Sequence, residues 1–201
     1  MPPLTARVAP ARAEGVSWLR LSLPRGTPPG SYTGTVQIEG REQPIIVDVE
    51  RDIDLRLFPD ALSLAAPPGA VVHVDLSVVN AGNVVCEIRR AYAFGVSVMG
   101  GVEEAVGQAL RAQLAQGERR IDRFAEELAN AHGGLVRVSV REGAGPLRPG
   151  ESRELRVALH LPDRLQAGHT YTGTWPLHDL NCYVRVDATH GRPSGKPEEG
   201  R

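Results

Sequence analysis

The chain has 201 residues, a hydrophobic fraction of 41%, only 4% aromatics, and 22 Gly and 16 Pro. That length suits one or two domains with a sizeable core, and the Gly and Pro content suits short strands joined by many turns. A formal net charge of -1 excludes the Lys/Arg surplus that a nucleic-acid backbone binder needs, so no nucleic acid is expected as a partner.

No apolar run reaches the roughly 18 residues of a membrane helix, and "MPPLTARVAPARAEG" at the start has no hydrophobic h-region. The expectation is no direct membrane span and a cytoplasmic chain as written, exported if the start is truncated. In chain order, "LTARVAP" (4 to 10), "SWLRLSLP" (17 to 24), "SYTGTVQIEG" (31 to 40) and "QPIIVDVE" (43 to 50) show alternation or β-branched content between turn residues, and predict four strands. "DLRLFP" (54 to 59), "AVVHVDLSVVN" (70 to 80) and "NVVCEIRRAYAF" (83 to 94) predict three more, separated by "APPG" and "NAGN" turns.

After "MGG" the period changes. Val102, Val106, Leu110 and Leu114 recur every four residues, and Ile121, Phe124 and Leu128 carry the stripe onward. This predicts a long amphipathic helix over 102–132, with Glu103 and Glu104 at the positive end of its dipole and "HGG" as its stop; Gly117 is a position where it could divide. Beyond it, "LVRVSVREG" (135 to 143), "SRELRVALHLP" (152 to 162), "HTYTGTWPL" (169 to 177) and "NCYVRVDA" (181 to 188) predict four strands in the same order as those of residues 4 to 50. "YTGT" occurs at 32 to 35 and again at 171 to 174, and "LRLSLP" is echoed by "LRVALHLP". The agreement of strand order and turn position indicates an internal repeat.

A Pro-rich turn, Gly, "YTGT", a strand, a short turn and a last strand resemble the final two strands of bacterial immunoglobulin-like modules, and "VVHVDLSVVNAGN" resembles their second strand and turn. The resemblance implies a mainly β fold, one or more immunoglobulin-like β-sandwiches with the helix inserted between strands. It also implies a structural role for Tyr32 and Tyr171, as corner tyrosines whose hydroxyls bond nearby backbone. Such sandwiches host many roles, so the resemblance is silent on function.

On this reading residues 1–51 form a four-stranded half-domain, 52–190 a sandwich with the helical insertion, and 191–201 a disordered tail of Pro, Gly and charge. Half a sandwich cannot bury its inner face. It would pack on the second domain, a twin chain or another protein that donates strands. Pairing 1–50 with 54–98 instead leaves 134–188 as the unfilled half.

Chemistry-bearing residues are sparse. His178, Asp179 and Cys182 at one hairpin end are ligand types that zinc or copper accept, but their spacing matches no established metal motif, so a polar turn is the favoured reading and no cofactor is expected. His73 and His160 read as surface or half-buried strand positions, and Cys86 and Cys182 as buried thiols rather than a disulfide. No GxSxG, phosphate loop, HExxH or GxGxxG is present, and Glu103/Glu104 and Glu126/Glu127 point about 100° apart on a helix, so no enzyme is expected. Trp18 and Trp175 lie in apolar strand patterns and read as core.

The helix is the feature an ordinary sandwich does not need. An amphipathic stripe most often faces its own core, which makes Val102, Val106, Leu110 and Leu114 an internal seam. The alternative is a docking element, offering that stripe or Arg119, Arg120 and Arg123 to a protein partner or to a second copy. The expected function is therefore a non-catalytic interaction or assembly protein. A ligand-binding accessory module, for carbohydrate or the cell envelope with a site in loops 95–101 or 176–181, is the alternative, and a small metalloprotein is the least favoured.

Overall fold

A computed structural model describes residues 5–10, 17–38, 40–114, 117–178 and 180–190, and the side chains from residue 21 onward. The expected tail at 191–201, Asp179, and the side chain of Trp18 lie outside the described residues. The fold is mainly β, with fourteen strands and two helices among the described residues. The strands are β1 (Thr5–Pro10), β2 (Ser17–Ser22), β3 (Gly30–Ile38), β4 (Arg41–Val49), β5 (Leu55–Phe58), β6 (Ala61–Ala66) and β7 (Val71–Asn80). They continue with β8 (Cys86–Ile88), β9 (Ala91–Val98), β10 (His132–Glu142), β11 (Gly145–Leu147), β12 (Ser152–His160), β13 (Thr170–Leu177) and β14 (Leu180–Ala188). Helices α1 (Gly101–Arg111) and α2 (Arg120–Ala131) lie between β9 and β10.

Several sequence expectations need correction. "ALSLAA" forms β6, a strand absent from the expectations above, only two residues after β5. The run 83 to 94 is two strands, β8 and β9, and β9 extends through residues 95–98, which were expected to be loop. The single helix over 102–132 is two short helices. The first helix ends where Ala112 turns to extended backbone, and Gly117, where a division was expected, lies in the connection with φ +89°.

The chain divides into two compact units. The larger comprises 57–77, 88–145 and 154–201, and the smaller 1–56, 78–87 and 146–153. The principal sheet runs in the order β5-β7-β12-β10-β9-β13-β14-β6, with β6 parallel to β14. β5 and β6 stand at opposite ends of that order yet only two residues separate them in the chain, a span of at most about 10 Å. The sheet must therefore curl until its two ends meet, which makes it a nearly closed, sandwich-like layer. Alternation does the rest: Leu62, Leu64, Val96, Val136, Val138, Val157, Trp175, Val184 and Val186 point inward and are buried.

The smaller unit contains the two-stranded sheets β1-β2 and β3-β4 and a polar clamp. Asn80 is fully buried; its side chain donates to the carbonyls of Val84 (2.7 Å) and Leu147 (3.0 Å) and accepts from the Gly82 N–H (3.1 Å). Asn83 accepts from the Asp52 N–H and donates to the Glu50 carbonyl, both at 2.8 Å. Gly82 packs so closely that a Cβ there would lie 2.5 Å from the Asp52 carbonyl oxygen. The "NAGN" turn thus grips the segment leaving β4, which fixes where that segment runs.

The internal repeat extends to register. In β3-β4, Ser31 faces Asp48, Tyr32 faces Val47 and Gly34 faces Ile45; in β13-β14, Thr170 faces Asp187, Tyr171 faces Val186 and Gly173 faces Val184. Ser31 donates its hydroxyl proton to Asp48, and Thr170 does the same to Asp187 at 2.6 Å. Thr170 and then Arg185 hold the Asp187 carboxyl below the ordinary carboxylate range. The Tyr32 hydroxyl donates to the Pro28 carbonyl (2.7 Å), while the Tyr171 hydroxyl accepts from the Gln166 N–H (2.9 Å). What differs is cover. Tyr171, Val184 and Val186 are buried, whereas Tyr32, Ile45 and Val47 remain half-exposed.

Candidate functional site: the helical hairpin

Helix α1 begins after Gly100, whose φ of 76° suits a residue without a Cβ, and Glu103 and Glu104 occupy its first turn. Its buried residues are Gly101, Ala105 and Ala109, four apart on one face. These small side chains let the neighbouring helix come close: a Cβ on Gly101 would stand 2.8 Å from that of Ala131. The inward face is therefore the small-residue row, one position N-terminal to the bulky stripe.

The stripe itself turns out to solvent. Val102 is 52% exposed, Val106 42% and Leu110 63%, and on α2 Ile121 is 59% and Leu128 38% exposed. Leu114, beyond the end of α1, is half-buried in the connection. Val106, Ala109, Leu110, Arg120, Ile121 and Phe124 line a groove of about 240 Å³ between the two helices. The expectation that this stripe is an internal seam is overturned, because the period fixes that a face exists but not which of two adjacent rows turns inward.

The three arginines are engaged within the hairpin. Arg119 pairs with Asp122 at 2.8 Å and holds its carboxyl below the usual range. Arg120 donates to the carbonyls of Ala109 (3.0 Å) and Leu110 (2.7 Å), orphan acceptors at the end of α1. Arg123 bridges Glu126 (2.9 Å) and Glu127 (2.8 Å). At the other end Arg164 donates to the carbonyls of Ala129 and His132, closing α2 in the same manner. The hairpin is thus stapled by its own cations and presents carbon outward. Helix α2 has no buried residue and contributes a wall of the groove rather than a piece of core.

Of the metal candidates, Cys182 and His178 are described, and they differ in setting. Cys182 faces inward opposite Trp175 and is 1% exposed; burial, with a contribution from Asp60, pushes its thiol up to about 11. His178 is exposed at the hairpin tip. A protonated, buried thiol is a poor ligand. Cys86 and Cys182 are both buried, and no disulfide joins them. Among the described residues no cluster of three His, Cys, Asp or Glu is suited to a metal ion, and no helix is long and apolar enough to cross a membrane.

Sequence reasoning passed over Arg89, Tyr92, Arg137 and Ser139, which with Pro176 and His178 line a cleft of about 790 Å³. Nothing in the linear order announces it, because β9 and β10 are joined through the whole helical insertion.

No protein-family model matches the chain, and no curated protein matches it. Among solved structures, it is similar to the ASH/PapD-like domain of human CEP192 (PapD-like domain 7), at 12% identity and a TM-score of 0.33, covering 70% of this chain and 87% of that one. A protein of unknown function from Porphyromonas gingivalis W83 matches at 10% identity and a TM-score of 0.33, over 94% of this chain and 82% of that one. The secreted serine protease VesC from Vibrio cholerae matches at 10% identity and a TM-score of 0.30; the match covers 71% of this chain and only 24% of VesC. Scores at this level establish neither a shared fold nor a shared role.

Proposed function

We propose that this chain is a non-catalytic interaction or assembly protein of immunoglobulin-like design, and that the α1-α2 hairpin is its contact element. The observation that carries the reading is the outward apolar face: Val106, Leu110 and Ile121, each more than two-fifths exposed, line one groove, and Val102, also exposed, extends the α1 row beyond it. Scattered apolar residues on a surface are ordinary, but a contiguous set on two facing helices is the form that helix-in-groove and bundle contacts take. The immunoglobulin-like part of the reading is supported by the two equivalent hairpins and by the backbone bonds of Tyr32 and Tyr171.

The occupant proposed is a second copy of the chain. Two such hairpins placed face to face form a four-helix arrangement in which each apolar row covers the other, the self-complementary contact a two-fold axis requires. Arg119 and Arg123 are paired with carboxylates, Arg120 is tied to helix carbonyls at one wall, and the rest of the groove lining is apolar, so the strength of the contact should depend little on salt.

Light scattering of the purified chain beside a Leu110→Glu/Ile121→Glu variant tests this. The expected result is a wild-type dimer and a monomeric variant with an unchanged thermal midpoint. A wild-type chain that stays monomeric at high concentration removes self-association, and equal uptake of an apolar dye by both proteins removes the groove as a binding face.

A further inference from the structure

A second site stands apart from the helices, at the other end of β9. The ladder between β9 and β13 covers only Tyr171/Val98, Thr172/Ser97 and Gly173/Val96 and then stops, although β13 continues to Leu177. Further along β13, Pro176 has no N–H to offer a neighbouring strand. The strands part there, and the cleft of about 790 Å³ opens where the ladder ends, with Ala91, Tyr92 and Ala93 on one side and Pro176 and His178 on the other. That volume lies in the range of small-ligand sites.

Among the described residues the lining has one sign of charge. Arg89 and Arg137 both face the cleft, neither forms an ion pair with a described residue, and no described carboxylate lines it. Some arginines elsewhere on the surface, Arg56, Arg119, Arg156 and Arg185 among them, are by contrast neutralised by carboxylates. Small residues, Ala91, Ala93 and Ser139, leave room between the guanidiniums. Register places Arg137 opposite Ala93 and Ser139 opposite Ala91, so both lie on the outer face of the sheet.

The edge of the cleft is held in an uncommon conformation. His178 is the non-glycine residue at positive φ (54°) among the described residues, at a two-residue hairpin turn between Leu177 and Leu180. Histidine tolerates that region better than most residues, yet Gly or Asn is the ordinary choice in such turns. The Tyr92 hydroxyl accepts from the Arg89 N–H at 2.8 Å, which fixes the backbone from which Arg89 extends.

We infer that this cleft, built from Arg89, Arg137, Ser139 and His178, binds a small organic anion carrying a phosphate or carboxylate group. Planar guanidiniums suit both groups through paired N–H donors. Ser139 and the Ala91, Ala93 and Pro176 surface would receive the polar and apolar remainder of the ligand.

Isothermal titration with glucose 6-phosphate, glucuronate and glucose tests the inference directly. Expected is saturable, salt-sensitive binding of one or both anions and none of glucose; the tighter anion names the group the site prefers. Arg89→Gln and Arg137→Gln should each weaken binding by roughly tenfold or more, with the thermal midpoint unchanged because both positions are exposed. Arg185→Gln, at an arginine already paired with Asp187, should leave binding as it was. No binding of either anion up to ~10 mM, equal binding of glucose, or binding indifferent to both cleft variants would overturn it. None of these outcomes depends on whether the helical face assembles.

Discussion

Asn80 shows how one side chain can organise a unit that has little else to hold it. It is a buried polar residue whose amide makes three bonds, each to a backbone group. Replacing it with Ala removes all three bonds at once, and should cost about 2–4 kcal/mol. Asn80→Asp should be no milder at neutral pH, since a carboxylate would face two carbonyl oxygens with nothing to donate. Urea denaturation of both variants checks this. An Asp variant as stable as the wild type would mean that the two donated bonds contribute nothing. The sequence marks this place as a turn through "NAGN", but a turn signal does not say that the turn is a clamp. That depends on the segment 50–54 and on Leu147, remote in the chain and brought close only by folding.

Elements carry the clearest lesson about what sequence makes legible. Alternation exposed most of the strands, because the inner face of a nearly closed sheet demands it; it missed β6, where only Pro59 and Asp60 interrupt two alternating runs. The helical period was visible too. What the period could not settle was orientation, because Gly101-Ala105-Ala109 and Val102-Val106-Leu110 are parallel rows one residue apart. Hydrophobicity favours turning the bulky row inward, whereas close helix approach favours the small row, and here close approach prevails. A paired substitution measures that choice. Ala105→Leu forces a larger side chain into a seam with no room and should cost about 1–3 kcal/mol, whereas Val106→Gln at the next position should change stability by no more than about 0.5 kcal/mol. Equal costs, read as equal shifts in the urea midpoint at constant slope, would mean that the two rows share the burial and that the groove is not open.

At the scale of the whole molecule the repeat sets two hairpins of matching register in different surroundings. β13-β14 is flanked on both sides within the principal sheet, by β9 on one side and β6 on the other. β3-β4 pairs only with itself among the described residues, and Val36 is its one buried residue there. Backbone bonding within the two ribbons is alike, so any difference in their protection must come from packing. Isolated two-stranded ribbons are marginal in water, and regions with few buried apolar contacts open locally at free energies far below that of global unfolding. Native-state hydrogen exchange should therefore separate the copies: amides of β13 and β14 should exchange only through global unfolding, and those of β3 and β4 through a much cheaper local opening, faster by at least tenfold. The comparison also bears on assembly. If β3-β4 amides are fast in dilute monomer and slow down as concentration rises, the half-exposed Tyr32, Ile45 and Val47 gain cover from a second chain alongside the helical face. If they are as slow as β13-β14 even in the monomer, the first hairpin holds its own unit together, and the contacts of this protein are left to its helices.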